Sequence, residues 1–125
     1  MRIVVIGGHG NFGARICRAL ASDEGVEIIA AGRAPAVSAD AGIHAATLDI
    51  ASADFPRALA ALRPAIVIHC AGPFQDQDYR VASAAIAAGA HYIDLSDGRR
   101  FVAEFPAASR SLCVCIGSVG PCVFR

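Results

Sequence analysis

A chain of 125 residues has room for one hydrophobic core, and its 11 basic and 11 acidic residues leave no basic surface of the kind that binds nucleic acid. Hydrophobic residues make up 55% of the sequence, yet no apolar run approaches the roughly 20 residues that a membrane-spanning helix needs. An apolar run begins directly after Arg2, so we expect no signal peptide and a cytoplasmic protein with reduced cysteines.

Strand-like and helix-like blocks alternate from end to end of the sequence. The strand-like blocks are short apolar runs over residues 2–6, 26–31, 44–48, 65–70, 91–95 and 112–116. Helices are predicted from residue 11 to about 25, from 52 or 54 to 64, from 76 to 88 and over 99–110. This alternation predicts an α/β domain over 1–116, a doubly wound parallel sheet (Rossmann fold) of about six strands in the order 3-2-1-4-5-6, and a tail over 117–125.

Two of these helices carry specific expectations. Asn11 is the expected cap of the first helix, whose inward face should carry Phe12, Ile16, Ala19 and Leu20. The fourth helix contains Pro106, which has no backbone N–H, and we therefore expect that helix to be interrupted.

The first strand and the first helix are joined by a glycine-rich segment that fits two phosphate-binding spacings. Gly8, Gly10 and Gly13 form G-x-G-x-x-G, whereas Gly7, Gly10 and Gly13 form G-x-x-G-x-x-G. Between a strand and a helix, such glycines permit a tight turn, close approach of the backbone to a pyrophosphate and close helix packing. We therefore predict a dinucleotide site that includes Gly7, Gly8, His9, Gly10, Asn11, Phe12 and Gly13. Of these, His9 and Asn11 are favoured as turn and cap residues over ligands.

The residue at the end of the second strand favours one dinucleotide over the other. Proteins of this type that bind NAD place Asp or Glu about 20 residues beyond the glycines. Arg33 stands there instead, in the segment AAGRAP. Its guanidinium suits the 2′-phosphate of NADP, so NADP is the predicted cofactor and NAD the less favoured one. The alternative for Arg33 is a solvated loop residue.

Two further segments follow the third and fourth strands, at the carboxyl edge of the sheet where ligands bind in this topology. Asp49 is placed either to hydrogen-bond an adenine edge or to begin the cap of the next helix. Ala71, Gly72 and Pro73 should form a loop along the cofactor, with Phe74 as a lid or a packing residue.

The cysteines near the end of the chain do not predict a metal site. Cys113, Cys115 and Cys122 lie close together in sequence, but zinc sites usually combine four ligands and no histidine is near them. The chain also has no lysine, which excludes Schiff-base chemistry and a Tyr-x-x-x-Lys catalytic pair.

The segments VIGGHGNFGARI, AGRAP and VIHCAGPFQDQDYRVASAAIAAGAHYIDLSDG resemble the N-terminal NAD(P)-binding domain of saccharopine dehydrogenase-like oxidoreductases, over about residues 1–110. The resemblance implies a nicotinamide cofactor and a redox reaction at a C–N or C=C bond. It implies that Gly7, Gly10 and Gly13 hold the pyrophosphate, Arg33 the 2′-phosphate and residues 71–73 the nicotinamide side. It also makes Tyr92 and Asp94 the catalytic candidates facing substrate, with a buried strand tyrosine and a strand-end helix cap as the alternative.

Members of that family continue into a second domain that builds the substrate site. The final segment here, SLCVCIGSVGPCVFR, departs from the family pattern, so we expect a truncated or frame-shifted gene or an excised fragment. Two functions follow: the NADP-binding half of an oxidoreductase, inactive alone, or a stand-alone nucleotide-binding sensor or interaction module. Apolar surface that a second domain would cover predicts self-association, as a homodimer or otherwise.

Overall fold

The computed structural model describes residues 1–34, 40–74, 77–96, 98–108, 113–115 and 122–123. Its strands are β1 (Arg2–Ile6), β2 (Glu27–Gly32), β3 (Ile43–Thr47), β4 (Ile66–His69), β5 (His91–Asp94), β6 (Cys113–Cys115) and β7 (Cys122–Val123). Its helices are α1 (Asn11–Leu20), α2 (Phe55–Ala61), α3 (Arg80–Ala87) and α4 (Arg99–Ala108). No helix in the described part of the chain combines the length and the apolar character needed to cross a bilayer.

The strands form one sheet in the order β3-β2-β1-β4-β5-β6-β7. Strands β1 to β6 are parallel, which confirms the predicted α/β fold and strand order. The short β7 lies in the predicted tail and pairs antiparallel with β6. The chain runs outward from β1 in one direction to β3 and then in the other from β4. This reversal opens a crevice beyond the carboxyl ends of β1 and β4.

Apolar side chains cover both faces of the central strands, as expected for buried parallel strands. On one face, Ile3 and Val5 of β1 belong to a cluster that includes Cys17 of α1. On the other face, Val4 and Ile6 belong to a larger cluster with residues of α2, α3 and α4. Helices therefore pack on both faces of the sheet.

The start of α1 and part of its inward face differ from the prediction, while Ile16 and Leu20 pack against the core as expected. The N-cap is Gly10 rather than Asn11, and the helix ends at Leu20. The buried residues of α1 are Gly13 and Cys17, while Phe12 is 66% exposed and Ala19 is also exposed. The reason is tertiary: Gly13 permits the first turn to approach the preceding loop, and this contact turns Phe12 outward.

Two later helices also differ from the prediction. Helix α3 begins at Arg80, and the predicted first residue, Asp76, lies outside the described residues. Helix α4 is continuous through Pro106. Because Pro106 stands in the last turn, its missing N–H removes only one hydrogen bond near the helix end. The side chains of Cys113, Cys115 and Cys122, for which no metal is predicted, lie outside the part that is described.

Candidate functional site

The glycine-rich turn between β1 and α1 is packed too closely to accept side chains at two key positions. A Cβ on Gly13 would lie 2.1 Å from the carbonyl oxygen of Gly7. Gly7 itself has a φ of +78°, and a Cβ there would lie 2.9 Å from the backbone nitrogen of Ala71. The turn therefore lies directly against the loop that follows β4, so the segments predicted to flank a dinucleotide are adjacent.

The first turn of α1 presents backbone amides at the carboxyl edge of the sheet. Helix N-termini leave their first N–H groups without intrahelical partners, and no side chain caps this one. The first amide with an intrahelical acceptor beyond the cap is that of Ala14, which donates to the Gly10 carbonyl at 2.9 Å. The amides of residues 11–13 and the positive end of the helix dipole suit an anionic phosphate.

A groove of about 420 Å³ runs along the ends of β1 to β4 beside this turn. Six residues of the predicted site line the groove directly: Gly7, Arg33, Asp49, Ala71, Gly72 and Pro73. Gly8, His9, Gly10, Asn11, Phe12 and Gly13 form the turn beside it and are not among its lining residues. The groove therefore joins the ends of four strands into one site.

Arg33 directly follows β2 and is exposed at the groove. Within the described residues it makes no ion pair with a carboxylate. Its guanidinium is thus available to an anionic ligand in the groove.

Asp49 has a structural partner within its own turn. One carboxylate oxygen accepts a hydrogen bond from the Ala51 amide at 3.0 Å, and the Asp49 carbonyl accepts one from the Ser52 amide at 3.1 Å. The N-cap of α2 is Asp54, so Asp49 does not cap that helix. The turn holds the exposed Asp49 at the edge of the groove.

The loop after β4 is fixed by a residue that the sequence analysis did not single out. The side-chain amide of Gln77 donates to the carbonyl of Ala71 at 2.7 Å and to that of Pro73 at 2.8 Å. The Gly72–Pro73 peptide bond is cis. Phe74 is buried, with its ring edge-on to that of His69 at a centroid distance of 4.9 Å, so it is a packing residue. No sequence motif marks Gln77, because its role depends on how the loop folds back.

Tyr92 and Asp94 lie in a buried polar cluster with His69. The Tyr92 hydroxyl lies 3.0 Å from Nδ1 of His69, and the Ser96 amide donates to Asp94 Oδ1 at 3.0 Å. Burial lowers the pKa of His69 to about 4 and raises the pKa of Asp94, so in each case it disfavours the charged form. Neither Tyr92 nor Asp94 lines the groove. The cluster lies within the core, where the ring of Phe74 packs against that of His69.

The reversal of strand order, the uncapped helix after a glycine turn and the adjoining groove define a dinucleotide-binding Rossmann domain. The family described as the saccharopine dehydrogenase NADP-binding domain matches residues 3–113. The chain belongs to this family, which confirms the resemblance seen in the sequence. It is accordingly the NAD(P)-binding domain of an oxidoreductase family, with a nicotinamide dinucleotide as its cofactor.

Solved structures share the fold at low sequence identity. The oxidoreductase ylbE from Lactococcus lactis gives a TM-score of 0.74 at 17% identity, over 94% of this chain and 68% of that one. A Rossmann-fold NAD(P)-binding family protein from Shigella flexneri gives 0.74 at 15% identity, over 93% and 66%. A UDP-galactose 4-epimerase gives 0.61 at 19% identity, over 78% and 38%. The chain spans 38% to 40% of the length of the uronate dehydrogenase and epimerase structures that it matches. Comparison with curated protein sequences finds no match.

Proposed function

We propose that this domain binds NADP(H) in preference to NAD(H), as the cofactor-binding half of an oxidoreductase. The observation that carries the proposal is Arg33, an exposed guanidinium at the end of β2 and at the wall of the groove. NAD-binding domains place a carboxylate at this strand end to accept from the ribose 2′-hydroxyl. A guanidinium there supplies instead a charge-assisted contact to a 2′-phosphate.

The dinucleotide is proposed to lie across the carboxyl edge of the sheet. The pyrophosphate would contact the amides of residues 11–13, and the adenosine would lie between Arg33 and Asp49. The nicotinamide side would follow residues 71–73, which Gln77 ties in place. This course follows the groove along the strand ends and leaves the glycine turn against the phosphates, where a side chain would intrude.

When bound, the cofactor supplies the hydride chemistry, and the protein supplies binding and orientation. The described lining of the groove contains Asp49 and Arg33 but no histidine, tyrosine or cysteine. The titratable cluster of His69, Tyr92 and Asp94 is buried away from it. We therefore propose that these 125 residues bind cofactor without turnover on their own, and that Tyr92 and Asp94 support the site rather than contact substrate.

Fluorescence titration with NADPH and with NADH tests the proposal. The 125-residue chain should bind NADPH more tightly than NADH, and Arg33→Ala should weaken NADPH binding by roughly 10- to 100-fold while changing NADH little. Arg57→Ala, on the exposed face of α2, is the matched control and should change neither. Binding of neither nucleotide below about 1 mM, or equal binding of both, would overturn the proposal. Oxidation of NADPH with imine or enone substrates by this chain would contradict the lack of turnover.

Self-association stays a prediction. Among the described residues, the exposed large apolar side chains are Met1 and Phe12. Met1 precedes β1 and Phe12 follows it, so the two lie at opposite edges of the sheet and do not form one patch. Sedimentation velocity at high concentration tests the prediction, and Phe12→Ser separates an interface at the carboxyl edge from one elsewhere.

A further inference from the structure

His9 lies over Gly32, the last residue of β2 and the residue that precedes Arg33 in the sequence. Gly32 is the last residue of β2, and a Cβ built on it would lie 3.3 Å from Cδ2 of the His9 ring. Gly32 and Arg33 both line the groove. The imidazole therefore occupies the space that a side chain at residue 32 would need, one residue before the predicted 2′-phosphate ligand.

The position of His9 is held by backbone contacts on either side. The amides of Gly7 and Gly8 both donate to the carbonyl of Ala31, at 2.8 and 3.2 Å, which fixes the turn onto the end of β2. The Gly10 amide closes the turn by donating to the Gly7 carbonyl at 2.9 Å. These three hydrogen bonds fix the turn that carries His9, and its ring lies against the end of β2.

The chemistry of the ring suits an anion at this place. The His9 side chain is exposed and makes no hydrogen bond or ion pair within the described part of the chain. A phosphate monoester carries about −1.5 to −2 charges near pH 7, more than one guanidinium neutralises. An imidazole N–H at this strand end supplies a donor in addition to the Arg33 guanidinium, and in its protonated form a second positive charge.

We propose that His9 and Arg33 together bind the 2′-phosphate of NADP, so that His9 is a second residue that discriminates NADP from NAD. The inference rests on the proposed function and assigns His9 a ligand role in place of the turn role favoured by the sequence. The competing interpretation is that the ring only packs on Gly32, or only shapes the turn. Both alternatives predict no selective effect on nucleotides that carry a 2′-phosphate.

Calorimetric titration with 2′,5′-ADP and with 5′-ADP isolates the 2′-phosphate from the nicotinamide end. His9→Ala should weaken 2′,5′-ADP and NADPH by about tenfold, with 5′-ADP and NADH changed by less than about twofold. His9→Gln, which keeps a neutral donor, should lose less than His9→Ala. His91→Ala is the matched control, because this exposed histidine begins β5 at the opposite edge of the sheet. Circular dichroism confirms that each variant is folded.

Each outcome decides a different point. If NADPH binding depends on Arg33 but not on His9, the inference fails and the proposed function stands. If His9→Ala weakens all four nucleotides equally, His9 shapes the turn and the inference fails. If the wild-type chain does not prefer 2′,5′-ADP over 5′-ADP, the proposed NADP preference fails and the inference fails with it. In a double-mutant cycle, non-additive losses for His9→Ala and Arg33→Ala on 2′,5′-ADP alone support a shared phosphate.

Discussion

The hydroxyl of Tyr92 lies 3.0 Å from Nδ1 of His69 and joins two neighbouring parallel strands within the core. Both residues are only 1% exposed. Two atoms of this cluster, His69 Nε2 and Asp94 Oδ2, have no hydrogen-bond partner in the described structure. The cluster is therefore costly to charge, and its protonation states should appear in the stability of the domain.

His69 should make the domain less stable as the pH falls from about 6.5 to about 4. Its pKa is lowered by burial from 6.5 to about 4, so within this window the unfolded chain binds a proton that the folded chain does not. The shift corresponds to a loss of about 3 kcal/mol at most in the free energy of unfolding. Tyr92 and Asp94 are the titratable groups that lie with it. Urea unfolding between pH 7 and pH 4 measures the slope.

The contribution of His69 is isolated by variants. His69→Gln should flatten the pH dependence over this range, whereas the exposed His91→Gln should leave it as in the wild type. Equal slopes for wild type and His69→Gln would contradict a buried neutral histidine. If His69→Gln does not fold, an NMR titration of the wild-type imidazole should give a midpoint near 4 in place of 6.5.

Asp94 should act with the opposite sign. Burial raises its pKa from 3.8, so the folded chain holds a proton more tightly than the unfolded chain does. Its stabilising effect is complete below pH 3.8 and is lost as the pH rises through the folded-state pKa. Asp94→Asn removes this loss. The free energy of unfolding of the variant minus that of the wild type should therefore increase as the pH rises from 4 to 7. The exposed Asp54→Asn serves as control, and a difference independent of pH would contradict the assignment.

The strand order could be predicted from the alternation of apolar runs with helix signals. The apolar runs mark the strands, because each buried strand must carry apolar residues on both faces. The face of α1 followed from spacing only in part. Ile16 and Leu20 pack against the core, whereas Phe12 and Ala19, which fit the same helical stripe, are exposed. Phe12 faces outward because Gly13 contacts Gly7. This contact forms only in the folded chain, so the spacing of apolar residues does not predict it.

The parts of the site that could be predicted from the sequence lie within a few residues of a strand end. Gly7, Arg33, Asp49 and residues 71–73 meet in one groove because parallel strands bring their carboxyl ends together. Gln77 and the pairing of His69 with Tyr92 depend on a folded-back loop and on the register that sets Val67 opposite Tyr92. Such contacts between distant residues have no local signature in a single sequence.

Gly13→Ala should destabilise the domain and weaken binding of both nucleotides. The added Cβ would lie 2.1 Å from the Gly7 carbonyl oxygen, and because both groups are backbone-fixed, helix and turn must separate. The expected loss in the free energy of unfolding is about 2 to 3 kcal/mol, measured by urea denaturation. Gly98→Ala is the control, because its Cβ would meet nothing closer than 3.5 Å and should cost less than about 0.5 kcal/mol. Similar losses for the two variants would show that the turn yields to a side chain.

Gln77 should support cofactor binding without contributing to the choice between NADPH and NADH. Its amide donates to the carbonyls of Ala71 and Pro73, and loss of both bonds releases the loop that we propose to lie along the nicotinamide side. Gln77→Ala should therefore weaken NADPH and NADH alike by roughly tenfold, in contrast with the selective effect of Arg33→Ala. Gln77→Glu keeps the size of the side chain but cannot donate when ionised, so it should bind no better than Gln77→Ala. Wild-type affinity in Gln77→Glu would show that the two carbonyl contacts do not hold the loop in its binding conformation.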